Sequence, residues 1–238
     1  MSGRLIFVAA SALVALLFAG CNGAPGQPAS GPEVPRPDAL MDFNVLYGQN
    51  CSACHGREGR GGAAVGLADP EYMALVDDAT LTRVTANGVR GTAMPGFAES
   101  AGGMLTNAQI AALVRGMRAR WGRPANGVTL PSHIAQAPGS AERGAAVYTR
   151  FCASCHEANG KAGAKAGTVR DATYLSLISD QGLRTLVIVG RPDFGAPDWR
   201  NDVPGNPMTE QQISDVVAWL GTQRTASSSV SAGTGGGR

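Results

Sequence analysis

Histidine is scarce in this chain, with three residues among 238. No Ser-His-Asp set, paired carboxylates or glycine-rich phosphate loop stands out, so hydrolysis and phosphoryl transfer have no recognisable machinery here. Clustered Lys and Arg are also missing. Twenty basic residues face 18 acidic ones, a formal charge of +2, which lacks the footprint of nucleic-acid binding and argues against steering by net charge alone. Beyond the N-terminal stretch, no segment is long and apolar enough to cross a bilayer. Strand-type alternation is absent too, and the sequence between helical patterns is full of Gly and Pro.

What is present begins with a targeting segment. Arg4 gives a small positive head, and Leu5 to Ala19 is almost unbroken apolar sequence, too short for a comfortable membrane span. It ends in Phe18-Ala19-Gly20-Cys21, which resembles the lipobox of bacterial lipoproteins, where the signal is cut before a cysteine whose thiol is then acylated. The usual Leu three places before that cysteine is Phe18 here, with Leu17 one further back. The resemblance implies a signal peptide over 1–20 and a lipid on Cys21. The protein would then be tethered to the periplasmic side of a bacterial membrane without spanning it. The competing reading is an ordinary secretory signal with a chance cysteine. Residues 21–38, rich in Pro, Gly, Ala and Ser, read as a flexible linker, and 225–238 as a disordered tail.

The remaining chain repeats itself. Leu46-Tyr47-x-x-x-Cys51-Ser-Ala-Cys54-His55 matches Val147-Tyr148-x-x-x-Cys152-Ala-Ser-Cys155-His156. The register continues through Gly59 and Gly160, Asp69 and Asp171, Tyr72 and Tyr174, Gly88 and Gly190, and Pro95 and Pro197, to Ile110 and Ile213. This is a duplicated domain, predicted over 39–123 and 140–224, with the proline-bearing stretch 124–139 as the link. Each copy is small for a free-standing core. Ser140 is placed to cap a helix from Ala141 into the second motif. Thr106-x-x-Gln109 and Thr209-x-x-Gln212 read as capping boxes before helices with apolar residues at helical spacing. Shorter middle helices are expected near Thr80 to Ala86 and Asp180 to Val189. The fold class is all-α, two tandem helical domains.

Cysteine parity points to the chemistry. There are five cysteines, Cys21, Cys51, Cys54, Cys152 and Cys155, and an odd count in an exported protein needs explaining. Cys-x-x-Cys-His is a haem c attachment motif by spacing: the two thiols reach the two vinyl groups of one porphyrin, and the next residue sits below the ring as an iron ligand. A thioredoxin-like dithiol would want a βαβ context, and a zinc ribbon would want its cysteine pairs closer than Cys54 and Cys152. Two haem c groups on Cys51, Cys54, Cys152 and Cys155, with iron held by His55 and His156, leave only Cys21, for lipid. The second ring nitrogen of such a histidine usually bonds a backbone carbonyl.

Taken together, the Arg143-Gly144-x-x-x-Tyr148 lead-in, the motifs, Met94-Pro95 and the capped last helix resemble class I cytochrome c domains, over essentially all of 40–222. The resemblance implies a small helical bundle around each haem and a role in outer-sphere electron transfer. It also implies a sixth iron ligand from a loop after the middle helix. In the first copy that residue is Met94. In the second the matching position is Ala196, which cannot bind iron. Three readings stay open there: Met208 reaching back from just before the last helix, His133 from the link, or no sixth ligand. Met208 carries its own counter-reading, because its partner Leu105 is an apolar residue before a capping box, where a hydrophobic staple is expected. Arg90, Arg191, Trp199 and Arg200 are candidate partners of haem propionates or plain surface groups.

The function this implies is a membrane-tethered electron carrier between redox partners, within reach of a respiratory complex, that catalyses nothing itself and binds no nucleic acid. The alternatives are a redox enzyme of peroxidase type using an open second haem, and a ligand sensor or structural subunit of a respiratory complex.

Overall fold

Short polar side chains start most helices of this chain, and the same starts recur in both halves. The computed structural model describes residues 31, 34–122, 129–158, 161–162 and 166–226. Met1–Ala39 is a unit apart from Leu40–Arg238, and within it Pro37–Ala39 makes one turn of 3-10 helix. The expected signal peptide, Cys21 and most of the first linker lie outside the described residues. No helix among the described residues is long and apolar enough to cross a membrane.

In the first half, Asp42 accepts from the Val45 amide to open α1 (Phe43–Asn50), which leads through Cys51 into α2 (Ser52–His55). Asp69 and Asp77 open α3 (Pro70–Leu75) and α4 (Asp78–Asn87) in the same way. Asp77 is why α4 begins before Thr80. Thr106 and Gln109 close the expected capping box on α5 (Asn107–Trp121).

In the second half, Ser140 caps α6 (Ala141–Phe151), followed by α7 (Ala153–His156). Strands β1 (Glu157–Ala158) and β2 (Lys161–Ala162) form a minimal antiparallel ribbon, a feature that the expectation of purely helical domains did not include. Then come α8 (Ala172–Ser176), α9 (Asp180–Val189) and α10 (Glu210–Ala226). Thr209 and Gln212 exchange both bonds of the second capping box, at 2.9 and 3.2 Å. α10 runs two residues into the stretch read as tail, whose remainder lies outside the described residues.

Each half buries its own apolar core, one around Leu46, Ile110 and Leu113, the other around Leu175, Ile188, Ile213 and Val216. First and last helices pack against each other through an aromatic set in a glycine gap, and the two halves build that gap from opposite sides. In the first, Phe43 of α1 presses on Gly116 of α5, where an added Cβ would lie 2.1 Å from the ring. In the second, Gly144 of α6 receives α10, where a Cβ would lie 2.1 Å from the Asp215 carbonyl and 2.6 Å from the Trp219 Cβ. In the repeat register Phe43 matches Gly144 and Gly116 matches Trp219. Arg143, next to that glycine, grips the buried Asp215 carboxylate with two bonds of 2.7 and 2.8 Å.

A second exchange caps the corner between the middle helices. Arg118 of α5 donates to the carbonyls of Met73 and Val76 and pairs with Asp78. Arg224 of α10 donates to Leu175 and Ile178 and pairs with Asp180, the matching three residues. Yet Arg224 stands one helical turn later than the register of Arg118 requires. The described part of the link is pinned to the second half by the buried Arg184, whose guanidinium donates to the Ser132 carbonyl and to Ser214 Oγ.

The glycine gap makes a sharp prediction. Gly144→Ala should destabilise the protein by about 1–3 kcal/mol through overpacking, read as a lower midpoint in denaturant titration, whereas Ala146→Gly, in the same helix, should cost only the helix-propensity difference, about 1 kcal/mol.

Candidate functional site

The geometry of each attachment motif comes from a helix carried through its first cysteine. The Cys51 amide donates to Tyr47 O at 2.9 Å and the His55 amide to Cys51 O at 3.0 Å; the Cys152 amide donates to Tyr148 O at 2.9 Å and the His156 amide to Cys152 O at 3.0 Å. The dihedral angles of Cys51 (−118°, −36°) and Cys152 (−118°, −35°) coincide. Two thiols and an imidazole are thus delivered on adjoining turns in both halves. Burial is the main cause pushing the Cys51 and Cys152 thiols up to about 12, with Cys54 adding to the first and Asp202 and Cys155 to the second. All four thiols are free of disulfides.

The histidines supply the test of fit. His55 Nδ1 lies 2.9 Å from the Val65 carbonyl and His156 Nδ1 2.8 Å from that of Gly167. A carbonyl can only accept, so each Nδ1 carries the proton and each Nε2 keeps its lone pair for a metal. Val65 and Gly167 correspond in the repeat. The first loop closes tightly: a Cβ on Gly62 would lie 2.2 Å from the Cys54 carbonyl. Desolvation lowers the pKa of His55, with the Val65 bond opposing it and Arg191 adding to it. Two thiols, a neutral imidazole and its carbonyl partner fit covalent haem c. Among the described residues no cluster of three or more His, Cys, Asp or Glu could hold a bare metal ion.

Met94 lies half-buried in a loop fixed by Val89 N to Met94 O at 2.9 Å and Phe97 N to Thr85 O at 3.0 Å. Gly88, at φ +67°, makes room for it: a Cβ there would lie 2.5 Å from Gly96 N. The second half repeats this loop, with Gly190 at φ +68° and Arg191 N to Ala196 O at 3.0 Å. Ala196 therefore occupies the place of Met94. Met208 occupies the place of Leu105: its amide donates to Trp199 O at 2.9 Å, as that of Leu105 donates to Phe97 O at 2.8 Å. It is 3% exposed, inside the cluster of Leu175, Ile188 and Ile213. The reading of Met208 as an iron ligand thus meets a packed core position. His133 is anchored by Gln181, which donates to its carbonyl at 2.7 Å, near the start of α9. The Ala196 loop follows the other end of that helix, about 12 Å away at 1.5 Å per residue.

The arginines read from sequence as either propionate partners or surface groups have partners within the chain. Arg191 pairs with Asp193 at 2.9 Å and donates to Gly62 O of the first half at 2.7 Å. Asp193 in turn accepts from Gly61 N at 2.8 Å. Arg200 pairs with Asp198 and reaches Glu71 of the first half at 3.0 Å. Carboxylates two residues away in sequence satisfy both guanidiniums, and the same groups join the halves. A third link runs from Ala93 N, beside Met94, to Leu177 O at 3.1 Å. Arg90 is exposed. These links were invisible in the sequence because their partners lie more than 80 positions apart.

With this geometry established, the comparisons fall into place. Residues 141–224 match the family Cytochrome c, and residues 38–115 match Cytochrome C oxidase, cbb3-type, subunit III. A Cbb3-type cytochrome c oxidase subunit FixPc from Rhizobium leguminosarum bv. viciae is 29% identical over 198 residues, 76% of this chain. The chain spans 63% of that relative's length. Among solved structures, a chain of the Kuenenia stuttgartiensis reducing HAO-like protein complex aligns at TM-score 0.46 and 15% identity, covering 81% of this chain and 99% of its own.

These matches support a class I c-type cytochrome with two cytochrome c domains in tandem. Each domain binds one covalent haem c, two in all.

Asp202 is the titratable group to watch. Burial, and then Asp198, raise it from 3.8 to about 7. A raised carboxyl means that the folded state binds the proton more tightly than the unfolded state. Its contribution to stability is full below about pH 4 and is lost as the pH rises through about 7. Asp202→Asn should therefore match the parent near pH 4 and be more stable at pH 8, as read in thermal melts at the two pH values.

Proposed function

We propose that this protein relays electrons between respiratory redox partners at the periplasmic face of a bacterial membrane, tethered there by a lipid on Cys21, as a subunit of or donor to an oxidase complex. The observation that carries this reading is the locked imidazole of His55 with Met94 in the loop of the same half. Cys51 and Cys54 would attach the first haem and Cys152 and Cys155 the second; His55 and Met94 would hold the first iron, and His156 the second. Haem supplies one-electron chemistry at iron when bound. The protein's own part is ligation, burial and orientation. A thioether is a soft neutral donor that favours the reduced metal, and an iron held by both His55 and Met94 would suit electron transfer without bond-making.

The redox-partner assignment draws support from the relative named as a cbb3-type oxidase subunit. The tether rests on the Phe18-Ala19-Gly20-Cys21 sequence.

Three experiments test the proposal. Optical titration of the two-haem protein should show the weak methionine-to-iron band toward the red end of the spectrum, and Met94→Ala should abolish it; persistence of that band would refute the ligand. In cells that attach haem, Cys21→Ser should move the protein from the membrane fraction to the soluble periplasmic fraction. Sustained turnover of peroxide by the purified protein, lost on removal of the second haem, would sink the carrier reading in favour of an enzyme.

A further inference from the structure

We infer that no described residue of this chain offers a sixth ligand to the iron gripped by His156, and that the position facing Ala196 is a binding site for a small neutral diatomic of the carbon monoxide class. The inference deepens the two-haem reading and rests on it. Three observations converge. The loop of Ala196 shares with that of Met94 the glycine at its head, at φ +68° against +67°, and the backbone bond that places the residue, 3.0 Å from Arg191 N to Ala196 O against 2.9 Å from Val89 N to Met94 O. The chain therefore presents a methyl group where the first half presents a thioether. Met208 would have to leave an apolar cluster in which it is 3% exposed, abandoning a seat that Leu105 fills in the other half without any role at iron. His133 is held by Gln181 at the far end of α9.

The surroundings select the ligand class. Gly195 and Pro197 flank Ala196, so its neighbours along the chain carry no charge. Asp193, Asp198 and Asp202 lie in the same stretch, and its two guanidiniums are taken, Arg191 by Asp193 and Arg200 by Asp198. Among the described residues of this stretch, an anion would find both guanidiniums already paired with carboxylates. A neutral π-acceptor needs only reduced iron and space. Of the three histidines, two sit in the motifs and the third is remote, so no imidazole stands ready as acid or base in this loop. The site binds without turning over.

The test uses the full chain matured with both haems, first confirmed by mass spectrometry to carry two, which separates a failure of haem attachment from a failure of this inference. The dithionite-reduced protein is titrated with carbon monoxide and followed optically. One equivalent should bind per chain. Met208→Leu should leave both the stoichiometry and the spectrum of the oxidised protein unchanged. Ala196→Met should abolish uptake and add a second methionine-to-iron band. Met94→Ala should raise uptake to two equivalents. No uptake by the parent would overturn the inference, as would a Met208→Leu variant that gains a carbon monoxide site or loses a methionine band. Should Ala196→Met fail to fold, the parent and Met208→Leu still decide the matter.

Discussion

The rest of this structure depends on one local constraint: a helix that keeps its hydrogen bonding while passing through a cysteine. The bonds from Cys51 N to Tyr47 O and from Cys152 N to Tyr148 O leave no freedom in where the next three residues go. Both thiols and the imidazole emerge from adjoining turns, and the ring is then turned by a single carbonyl, Val65 or Gly167. A side-chain contact alone would leave the imidazole two rotamer axes. A backbone acceptor fixed by its own loop removes them, and it selects the tautomer that presents Nε2 to a metal. Position and protonation state are thus settled before any cofactor chemistry begins.

What the sequence displayed and what it hid divide along physical lines. Features solved locally were legible. The capping boxes at Thr106 and Thr209, the cap at Ser140, and the motifs themselves each need only residues within about one helical turn, so the same letters mean the same structure in both copies. Features solved across the fold were not. Arg118 and Arg224 serve matching carbonyls from turns that do not match, because any cation on the right face can reach an acceptor on a neighbouring helix. Arg191 and Arg200 read equally as propionate partners or surface charge; only their distant partners, Gly62 and Glu71, reveal the use. Met208 sat near enough to a missing ligand to suggest itself, while its match to Leu105 before a capping box already offered the packed position that the structure shows.

The halves are not beads on a string. Leu40–Arg238 is one body, and the contacts joining its parts fall on the loops that serve the first site. Asp193 and Arg191 hold Gly61 and Gly62, in the loop that closes on His55. Leu177 holds Ala93, next to Met94. Both flanks of the first site therefore take part of their shape from the second half. Val65, whose carbonyl orients His55, also packs against both cores. A rate of electron passage that depends on fixed separation is served by such a joint better than by a free linker.

Tandem copies of one fold carry a hazard, since a terminal helix of either copy could dock on the wrong partner while the chain is still collapsing. The reversed glycine gaps guard against it. Were α1 to pair with α10, Phe43 would meet Trp219 and two large rings would compete for one space. Were α6 to pair with α5, Gly144 would meet Gly116 and leave a hole lined by backbone. Only the native pairings bring bulk to hollow. Duplication supplied two identical locks, and a single swap of aromatic for glycine gave each its own key.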